Sequence, residues 1–281
     1  MQGEGWGVYV PMRKKEKLIN KVKDLLKRAQ LPRYLHRYGP KKFYFYQLCL
    51  GLLIKEVFRL SYRRASSFLK EYYSIDMHWT TLQKCRARLP LHIWQHLLSC
   101  TADADVEVAA IDGTSLQRSN PSSHYLRSVD KTYKVSVPVF MNAAVDVLKR
   151  KFIAARHHTN RSSEVNDAYY FFKRVKQNMD LAVMDKAYDS EKLHRFLREQ
   201  GIYSIVPVKK NWARGQYRKQ LKECFDYVLY WQRNIIECLF SALKRLFGNN
   251  LRCLVARTQR AEIYMRLIAY NLGAIMFEIF Y

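Results

Sequence analysis

Residues 230–244 read YWQRNIIECLFSALK, and this stretch predicts the helix around which the rest of the chain is organised. An α-helix turns by about 100° per residue, so four polar residues fall on one stripe: Tyr230, Arg233, Glu237 and Lys244. A neighbouring apolar stripe has the spacing of a core-facing helix: Ile236, Phe240, Leu243 and Phe247. One side should therefore pack into a domain, while the other presents a carboxylate between two cations and a phenol. A solvated helix face with an Arg233–Glu237 ion pair is the simpler alternative.

The chain is strongly basic along most of its length. Its 281 residues include 49 Lys and Arg against 24 Asp and Glu, which gives a net charge of +25. Apolar residues make up 49%, enough for a sizeable core, which argues against global disorder. So large a positive excess predicts a polyanionic partner, with nucleic acid first and an anionic membrane surface second.

Neither the cysteines nor the ends of the sequence predict a zinc site, secretion or a membrane span. The six cysteines lack CxxC or Cys/His spacing, so we interpret them as dispersed thiols in a reducing cytosol. The first residues, MQGEGWGVYVPMRKK, lack the apolar segment of a signal peptide. Near the other end, Arg266 and Glu278 interrupt an apolar stretch, which favours a buried helix over a membrane span. We therefore expect a cytoplasmic protein with no membrane partner.

Residues 1–104 predict a helical, basic region that binds DNA. Apolar residues at 18, 22, 25 and 26 indicate an amphipathic helix, and four more helices follow at 41–58, 60–73, 78–89 and 91–100. The short helices at 60–73 and 78–89 could form a helix-turn-helix. The second of them carries six polar residues: Thr80, Thr81, Gln83, Lys84, Arg86 and Arg88. Any small helical bundle contains such pairs, so contact with phosphates alone stays an alternative to sequence reading.

Residues 105–281 have a mixed α/β pattern. Strands are predicted at 106–112, 131–147, 149–159, 181–185 and 203–210, the first followed by a turn at Gly113-Thr114. Helices are predicted at 162–178, at 189–201, around 230–244 and from about 257, and Ser162 or Ser163 could cap the first of them. The basic segment 210–229 has no clear periodicity. This order predicts a mixed five-stranded sheet with helices.

Two of these strands end in an aspartate where the chain leaves the sheet. VAAID ends in Asp112 and LAVMD ends in Asp185. Function in α/β sheets concentrates at strand ends, and Glu237 could join the two aspartates there. Three carboxylates would repel one another, and two Mg²⁺ ions would relieve that repulsion and serve phosphodiester chemistry. The predicted metal ligands are therefore Asp112, Asp185 and Glu237, acting on the nucleic acid that the net charge indicates.

These residues resemble the motifs of DDE transposases of prokaryotic insertion sequences, in the group with a Y-x2-R-x3-E-x6-K signature. Tyr230, Arg233, Glu237 and Lys244 match that spacing at every position. IDGT at 111–114 is similar to the first-acid motif and MDKAYDS at 184–190 to the second, followed by the similar GIYSIVPVKKN. The resemblance spans roughly 105–250, whereas the first hundred residues match only in being helical and basic.

The resemblance implies an RNase H-like catalytic core that cuts and joins DNA at element ends with two Mg²⁺ ions, for which Mn²⁺ can substitute. It implies that Asp112, Asp185 and Glu237 are catalytic metal ligands and that Tyr230, Arg233 and Lys244 contact phosphates near the scissile bond. By the same analogy, the partner is double-stranded DNA, both element ends and target, bound by a homodimer in a synaptic complex. The interval from Asp185 to Glu237 is too short for the large β insertion of some family members.

Several other residues near the motifs have structural interpretations. We predict that Asp189 caps the helix that follows Asp185, and that Asp146 lies at the surface. A further group of acids is interpreted as solvent-exposed residues at the boundary between the two regions: Asp103, Asp105 and Glu107. Contact with DNA stays open for His157 and His158, and contact with phosphate stays open for Lys186 and Arg156. Thr114 beside Asp112 is either a hydrogen-bonding neighbour or a turn residue.

Two other functions remain open at this point. A DNA-binding derivative of such an enzyme would have lost its catalysis, although all three acids are in place here. A related metal-dependent nuclease would cut DNA without joining it.

Overall fold

A computed structural model of the chain describes seven segments, residues 12–35, 41–118, 138–160, 163–175, 177–209, 214–253 and 255–273. Parts of four predicted elements lie outside them: residues 131–137 of the second strand, Ser162 and residue 176 of the helix at 162–178, residue 210 of the strand at 203–210, and the residues after 273 of the last helix. Asp130, which flanks the second strand, and Glu278 also fall outside.

Five helices precede the sheet: α1 (Met12–Arg28), α2 (Phe45–Val57), α3 (Tyr62–Tyr73), α4 (Trp79–Arg88) and α5 (Leu91–Ser99). The predicted amphipathic face of α1 is confirmed, since Leu18, Val22, Leu25 and Leu26 are all buried. These side chains belong to a hydrophobic core that continues through α2 to one face of the sheet. The change from helices to strands at residue 104 marks the start of the sheet, and a separate DNA-binding domain before it stays a prediction.

The sheet has the order β3-β2-β1-β4-β5, with β1 at Asp105–Arg118, β2 at Val139–Asp146, β3 at Lys151–His158, β4 at Asn178–Met184 and β5 at Tyr203–Ile205. β1, β2 and β3 are antiparallel neighbours, while β1, β4 and β5 run parallel. A short strand, β6 (Asn250–Leu251), pairs with the far end of β1. The predicted mixed α/β sheet is confirmed, and its arrangement is that of an RNase H-like core preceded by helices.

The remaining helices are α6 (Glu164–Arg174), α7 (Glu191–Glu199), α8 (Gln216–Glu223), α9 (Tyr227–Trp231), α10 (Asn234–Phe247) and α11 (Ala256–Asn271), with a 3-10 turn at Lys186–Tyr188. Side chains of β1 alternate between the two faces of the sheet. Val108 and Ala110 pack in the core that contains Ile236 and Leu239 of α10. Ala109 and Ile111 pack in a second core with α6 and α7. By this alternation Asp112 lies on the face that α10 covers.

Two predictions about the strands were wrong. β1 does not end at Asp112, because residues 113–116 continue to pair with β2. The segment 210–229, which has no clear periodicity in the sequence, contains α8, whose Tyr217 and Arg218 backbone amides donate to the Glu191 carboxylate. β5 is shorter than predicted, and β6 is too short for a periodicity to indicate it.

A buried ionic group on α11 holds the chain that follows α10. The Glu262 carboxylate accepts bonds from Arg266 Nη2 at 2.6 Å and from the backbone amides of Arg252 and Cys253 at 3.0 and 3.1 Å. Arg266 in turn donates to the carbonyls of Gly248 and Asn250, both at 2.8 Å. Arg266, which interrupts the apolar C-terminal stretch, is thus paired inside the protein. Within the segments described, no helix has both the length and the apolar character needed to cross a membrane.

Candidate catalytic site

The stretch 230–244 forms two helices and not the single helix predicted. α9 ends at Trp231 and α10 begins at Asn234. The junction is tightened by i→i−3 bonds, from the Arg233 amide to the Tyr230 carbonyl and from the Ile236 amide to the Arg233 carbonyl, at 3.0 and 3.1 Å. The Asp226 side chain caps α9 by accepting a 2.9 Å bond from the Leu229 amide. Tyr230 therefore reaches the site from a separate short helix.

The predicted apolar stripe of α10 is confirmed. Its members are all buried against the sheet: Ile236, Phe240, Leu243 and Phe247. This anchoring turns Glu237, in the first turn of α10, toward the open side of the sheet, where 53% of its side chain is exposed. Helix packing thus decides the direction of the carboxylate.

Asp112 lies inside β1 at the point where the neighbouring strand ends. β4 pairs with β1 only as far as Ile111 and Met184, so the side of β1 next to Asp112 is uncovered. Oδ1 of Asp112 accepts a 2.7 Å bond from the Gly113 amide, and Oδ2 accepts one from Arg233 Nη1 at 2.9 Å. Asp112 is therefore uncovered because β4 ends beside it, and not because β1 turns away from the sheet.

Asp185 directly follows β4. Since Ile111 and Met184 are register partners on parallel strands, Asp112 and Asp185 occupy neighbouring positions. Oδ1 of Asp185 accepts a 2.6 Å bond from the Lys186 amide, which opens the 3-10 turn. Burial raises the pKa of Asp112, and the negative charges of Asp185 and Glu237 raise it further, although the Gly113 amide and Arg233 act in the opposite direction. The three carboxylates therefore interact electrostatically.

One guanidinium group joins two of these acids. Arg233 donates from Nη2 to Glu237 Oε1 at 2.6 Å and from Nη1 to Asp112 Oδ2 at 2.9 Å. The i,i+4 pair is therefore present, but it is one half of a bridge between α10 and β1. The Arg233 guanidinium lies 6.0 Å from the centre of the Tyr230 ring. Tertiary structure thus brings Asp112, Asp185, Glu237, Tyr230 and Arg233 into one region.

Lys244 lies apart from this group. It is in the last turn of α10, two helical turns or about 10 Å along the axis from Glu237. Its pKa is lowered by burial, and no ion pair of Lys244 occurs within the segments described. Of the predicted polar stripe, α10 carries only Glu237 and Lys244, and these two side chains lie in different surroundings.

The donor chemistry of the site fits a hard divalent cation, although the side chains do not form a closed metal site. In the part of the chain that the structure covers, no three His, Cys, Asp or Glu side chains are close enough to hold a metal ion. Carboxylate oxygens are the ligands that Mg²⁺ prefers, and three carboxylates of like charge lie around one opening. Arg233 now supplies the positive charge between Asp112 and Glu237.

A buried polar group behind Asp112 was missed by the sequence reasoning. The fully buried Asp167 accepts bonds from Arg156 Nη1 at 2.9 Å, from His158 Nε2 at 2.8 Å and from the Asn142 amide. Asn142 is the β2 partner of Gly113. The available signal was an acid on an apolar helix face, because Asp167 lies four residues before the buried Phe171. Arg156 and His158 therefore hold Asp167, which in turn bonds the strand next to the one that carries Asp112.

This contact makes Gly113 a sensitive position. A Cβ atom at residue 113 would collide with Oδ1 of Asn142. We expect Gly113→Ala to lower the free energy of unfolding by about 1–3 kcal/mol, because Asn142 must move and release Asp167. Denaturant unfolding tests this. If the collision is the cause, adding Asn142→Ser should restore part of the lost stability, and a Gly113→Ala variant as stable as the parent protein would contradict the expectation.

Other residues considered from sequence have structural roles. His157 accepts a bond from Arg260 Nε at 3.1 Å, and burial with the nearby positive charges lowers its pKa to about 4. Asp189 does not cap α7, where the N-cap position is Ser190. Asp189 instead accepts from Arg218 Nε at 2.7 Å and from the Lys209 amide at 2.9 Å, so it holds α8. The surface prediction for Asp146 was wrong, since it is buried and bonds the Lys149 amide in the β2–β3 turn.

Helix α4 exposes only part of the predicted polar set. Gln83, Lys84 and Arg88 are exposed, and the last two line a cleft of about 260 Å³ together with Lys41 and Lys42. Arg86 instead is buried, where it donates to Cys253 Sγ at 2.8 Å and lies 3.5 Å from Glu56. α3 and α4 are two short helices joined by residues 74–78, and a helix-turn-helix stays a prediction. Gln83, Lys84 and Arg88 are the candidates for DNA contact on α4.

Comparison with known proteins identifies one family. The family model described as the transposase DDE domain matches residues 104–272, more than half of the chain. No match was found among curated proteins.

Two solved structures match the chain at low similarity. The piggyBac transposase, in a cryo-EM synaptic complex with hairpin DNA, is 14% identical over 93% of this chain and 72% of that chain, with a TM-score of 0.48. The simian T-cell lymphotropic virus intasome in complex with PP2A regulatory subunit B56 gamma is 12% identical over 76% of this chain and 72% of that chain, with a TM-score of 0.29. Both are too distant to support any conclusion about function.

Proposed function

The chain belongs to the family of transposases with a DDE domain, and we propose that it is an active DNA transposase that cuts at the ends of an insertion sequence and joins the freed 3′ ends to target DNA. Within the family we assign it to the group with the Y-x2-R-x3-E-x6-K signature, found in prokaryotic insertion sequences. The observation that carries this proposal is the convergence of Asp112 and Glu237 on one guanidinium, with Asp185 on the neighbouring strand.

Asp112, Asp185 and Glu237 are the proposed holders of two Mg²⁺ ions, with Mn²⁺ as a substitute. When bound, such ions activate an attacking oxygen and stabilise the leaving oxygen of a phosphodiester. The rigid sheet and the buried face of α10 hold the three carboxylates in place without the ions. The pKa of Asp112 is raised mainly by burial, and the negative charges of Asp185 and Glu237 add to the rise. This mutual repulsion of the carboxylates favours a cation among them.

Tyr230, Arg233 and Lys244 are the proposed phosphate ligands. A guanidinium presents paired N–H donors that match phosphate oxygens, whereas an ammonium acts as a point charge. Tyr230 and Arg233 adjoin the acids and would position the scissile phosphate. Lys244, at the far end of α10, would contact a phosphate further along the same strand. This division of roles follows from the length of α10.

The N-terminal helices are proposed to bind the DNA next to the catalytic region. We expect Lys84→Ala with Arg88→Ala to weaken binding and to reduce the slope of log K against log salt by about 2, because each phosphate contact contributes about 0.9. Binding titrations at several salt concentrations measure this slope. Lys84→Arg retains the charge and is the control. An unchanged slope in the double variant would show that α4 does not contact the phosphates.

Incubation of the purified protein with Mg²⁺ and DNA that carries the element ends tests the proposed activity. Joined products would support a transposase. Nicks without joining would favour a nuclease, and binding without cleavage would favour a silent DNA-binding derivative. Light scattering of the DNA-bound protein tests the proposed homodimeric synaptic complex in the same samples.

A further inference from the structure

The Arg233 guanidinium lies between two of the proposed metal ligands and supplies a positive charge that a bound metal ion would otherwise supply. Its two terminal nitrogens each bond a different carboxylate, Asp112 Oδ2 at 2.9 Å and Glu237 Oε1 at 2.6 Å. The Arg233 side chain is only 18% exposed, so these are partly desolvated contacts with a stronger attraction than an open surface pair. A divalent cation must therefore compete with a group that belongs to the protein itself.

The same nitrogens are the ones that a phosphate would need. Nε of Arg233 is buried and has no hydrogen-bond partner among the described residues, and the ion pairs of the guanidinium are made by Nη1 and Nη2. A phosphate bound through Nη1 and Nη2 approaches the same two nitrogens, and its negative charge repels the carboxylates already bound there. Phosphate and the two carboxylates therefore compete for Arg233.

We propose that Arg233 is an exchangeable cation that closes the metal site without DNA and moves to a DNA phosphate when DNA binds. This inference rests on the proposed function and adds its regulation: DNA opens the carboxylates to the divalent ion, and the ion in turn favours release of Arg233 to the phosphate. The position of Arg233 at the junction between α9 and α10 suits such a movement, because the buried stripe that anchors α10 begins only at Ile236. The metal site is then completed only when DNA is bound.

Thermodynamic linkage makes the two binding events reciprocal. DNA should raise the affinity for metal by the same factor by which metal raises the affinity for DNA. Removal of the guanidinium should raise the affinity for metal in the absence of DNA and should also remove most of the coupling. A residue that only grips phosphate would instead weaken DNA binding and leave the DNA-free metal affinity unchanged.

Mn²⁺ binding, followed by the electron paramagnetic resonance signal of the free ion, tests this without any measurement of activity. In the parent protein we expect a short duplex with an element end to tighten Mn²⁺ binding by about tenfold. Arg233→Gln should bind Mn²⁺ about tenfold more tightly than the parent without DNA, and addition of DNA should then change it less than about threefold. Arg233→Lys, which keeps the charge on a single nitrogen in place of the planar guanidinium, should be intermediate.

Three comparisons complete the experiment. Arg245→Gln, an exposed cation on the same helix, should behave as the parent protein does. Glu237→Gln sets the baseline for ions bound to DNA or elsewhere. Equal DNA-free Mn²⁺ affinity in the parent, Arg233→Gln and Arg233→Lys proteins, all with parental circular dichroism, would overturn the exchange but leave the proposed function intact. If Glu237→Gln does not reduce Mn²⁺ binding in the DNA complex, the three-acid site itself is contradicted.

Discussion

Glu237→Gln is expected to reduce DNA strand cleavage by at least about a thousandfold, or about 4 kcal/mol of activation free energy, while DNA affinity changes less than about threefold. The substitution keeps the size of the side chain and removes one of three proposed metal ligands. Glu237 is half exposed and lies outside the buried stripe of α10, so the helix should remain folded. Gel assays of cleavage in Mg²⁺ and titrations of binding in its absence separate the two effects.

A matched substitution away from the site controls for the loss of one negative charge. Glu223→Gln changes an exposed carboxylate at the end of α8 and should leave cleavage within about twofold of the parent rate. Asp112→Asn and Asp185→Asn should be as damaging as Glu237→Gln if the three acids act together. Cleavage by Glu237→Gln at a rate near that of the parent would show that the three-acid site is wrong.

Glu262→Gln is expected to lower the free energy of unfolding by about 3–5 kcal/mol, the largest effect we predict on stability. Glu262 is fully buried, and its carboxylate is the partner of Arg266 and of two backbone amides. The amide would leave the buried Arg266 without a counter-charge and would place an N–H group against N–H donors. Because Arg266 also holds the carbonyls of Gly248 and Asn250, the loss should loosen the chain between α10 and α11.

Denaturant unfolding with Asp76→Asn as the control tests this expectation. Asp76 also pairs with a cation, but the Lys70–Asp76 side chains are 67% and 77% exposed, so its loss should cost less than about 1 kcal/mol. Burial raises the pKa of Glu262, but Arg266 and the bonded amides together lower it by more. Glu262 therefore has a pKa below its ordinary value. Its contribution is therefore present above the ordinary carboxyl pKa and is lost as pH falls through the folded pKa. Equal losses in the two variants would contradict the buried-pair interpretation.

Arg233 has two possible sets of partners, the neighbouring acids and a DNA phosphate. A signature motif places it among phosphate ligands, while its contacts without DNA are with the acids beside it. The exchange we propose makes the acids available only where a phosphate is present. A nuclease site built in this way is shielded from metal, and so from unspecific cleavage, until its substrate arrives.

Local patterns in the sequence were sufficient for much of the architecture. The buried stripe of α10 and the apolar face of α1 follow from helical periodicity, because one helix face must leave water. The order of elements likewise predicts a mixed sheet with helices, and the structure places helices on both of its faces. Such features depend on residues close together in the chain. The positions that broke these patterns were Gly113, Asp146 and the junction at 232–233.

The sequence by itself determined the set of chemical groups and the helix that carries Glu237, since residue type and helical spacing are local properties. Only the tertiary structure decided that Asp112 is uncovered by the departure of β4, that Asp167 supports the neighbouring strand, and that Arg233 bridges two acids far apart in the chain. Each of these depends on strand register or on the packing of α10 against β1, which no local pattern specifies. The functional side chains of residues 230–244 can thus be identified from the sequence, but the residues that they contact are determined only when the chain has folded.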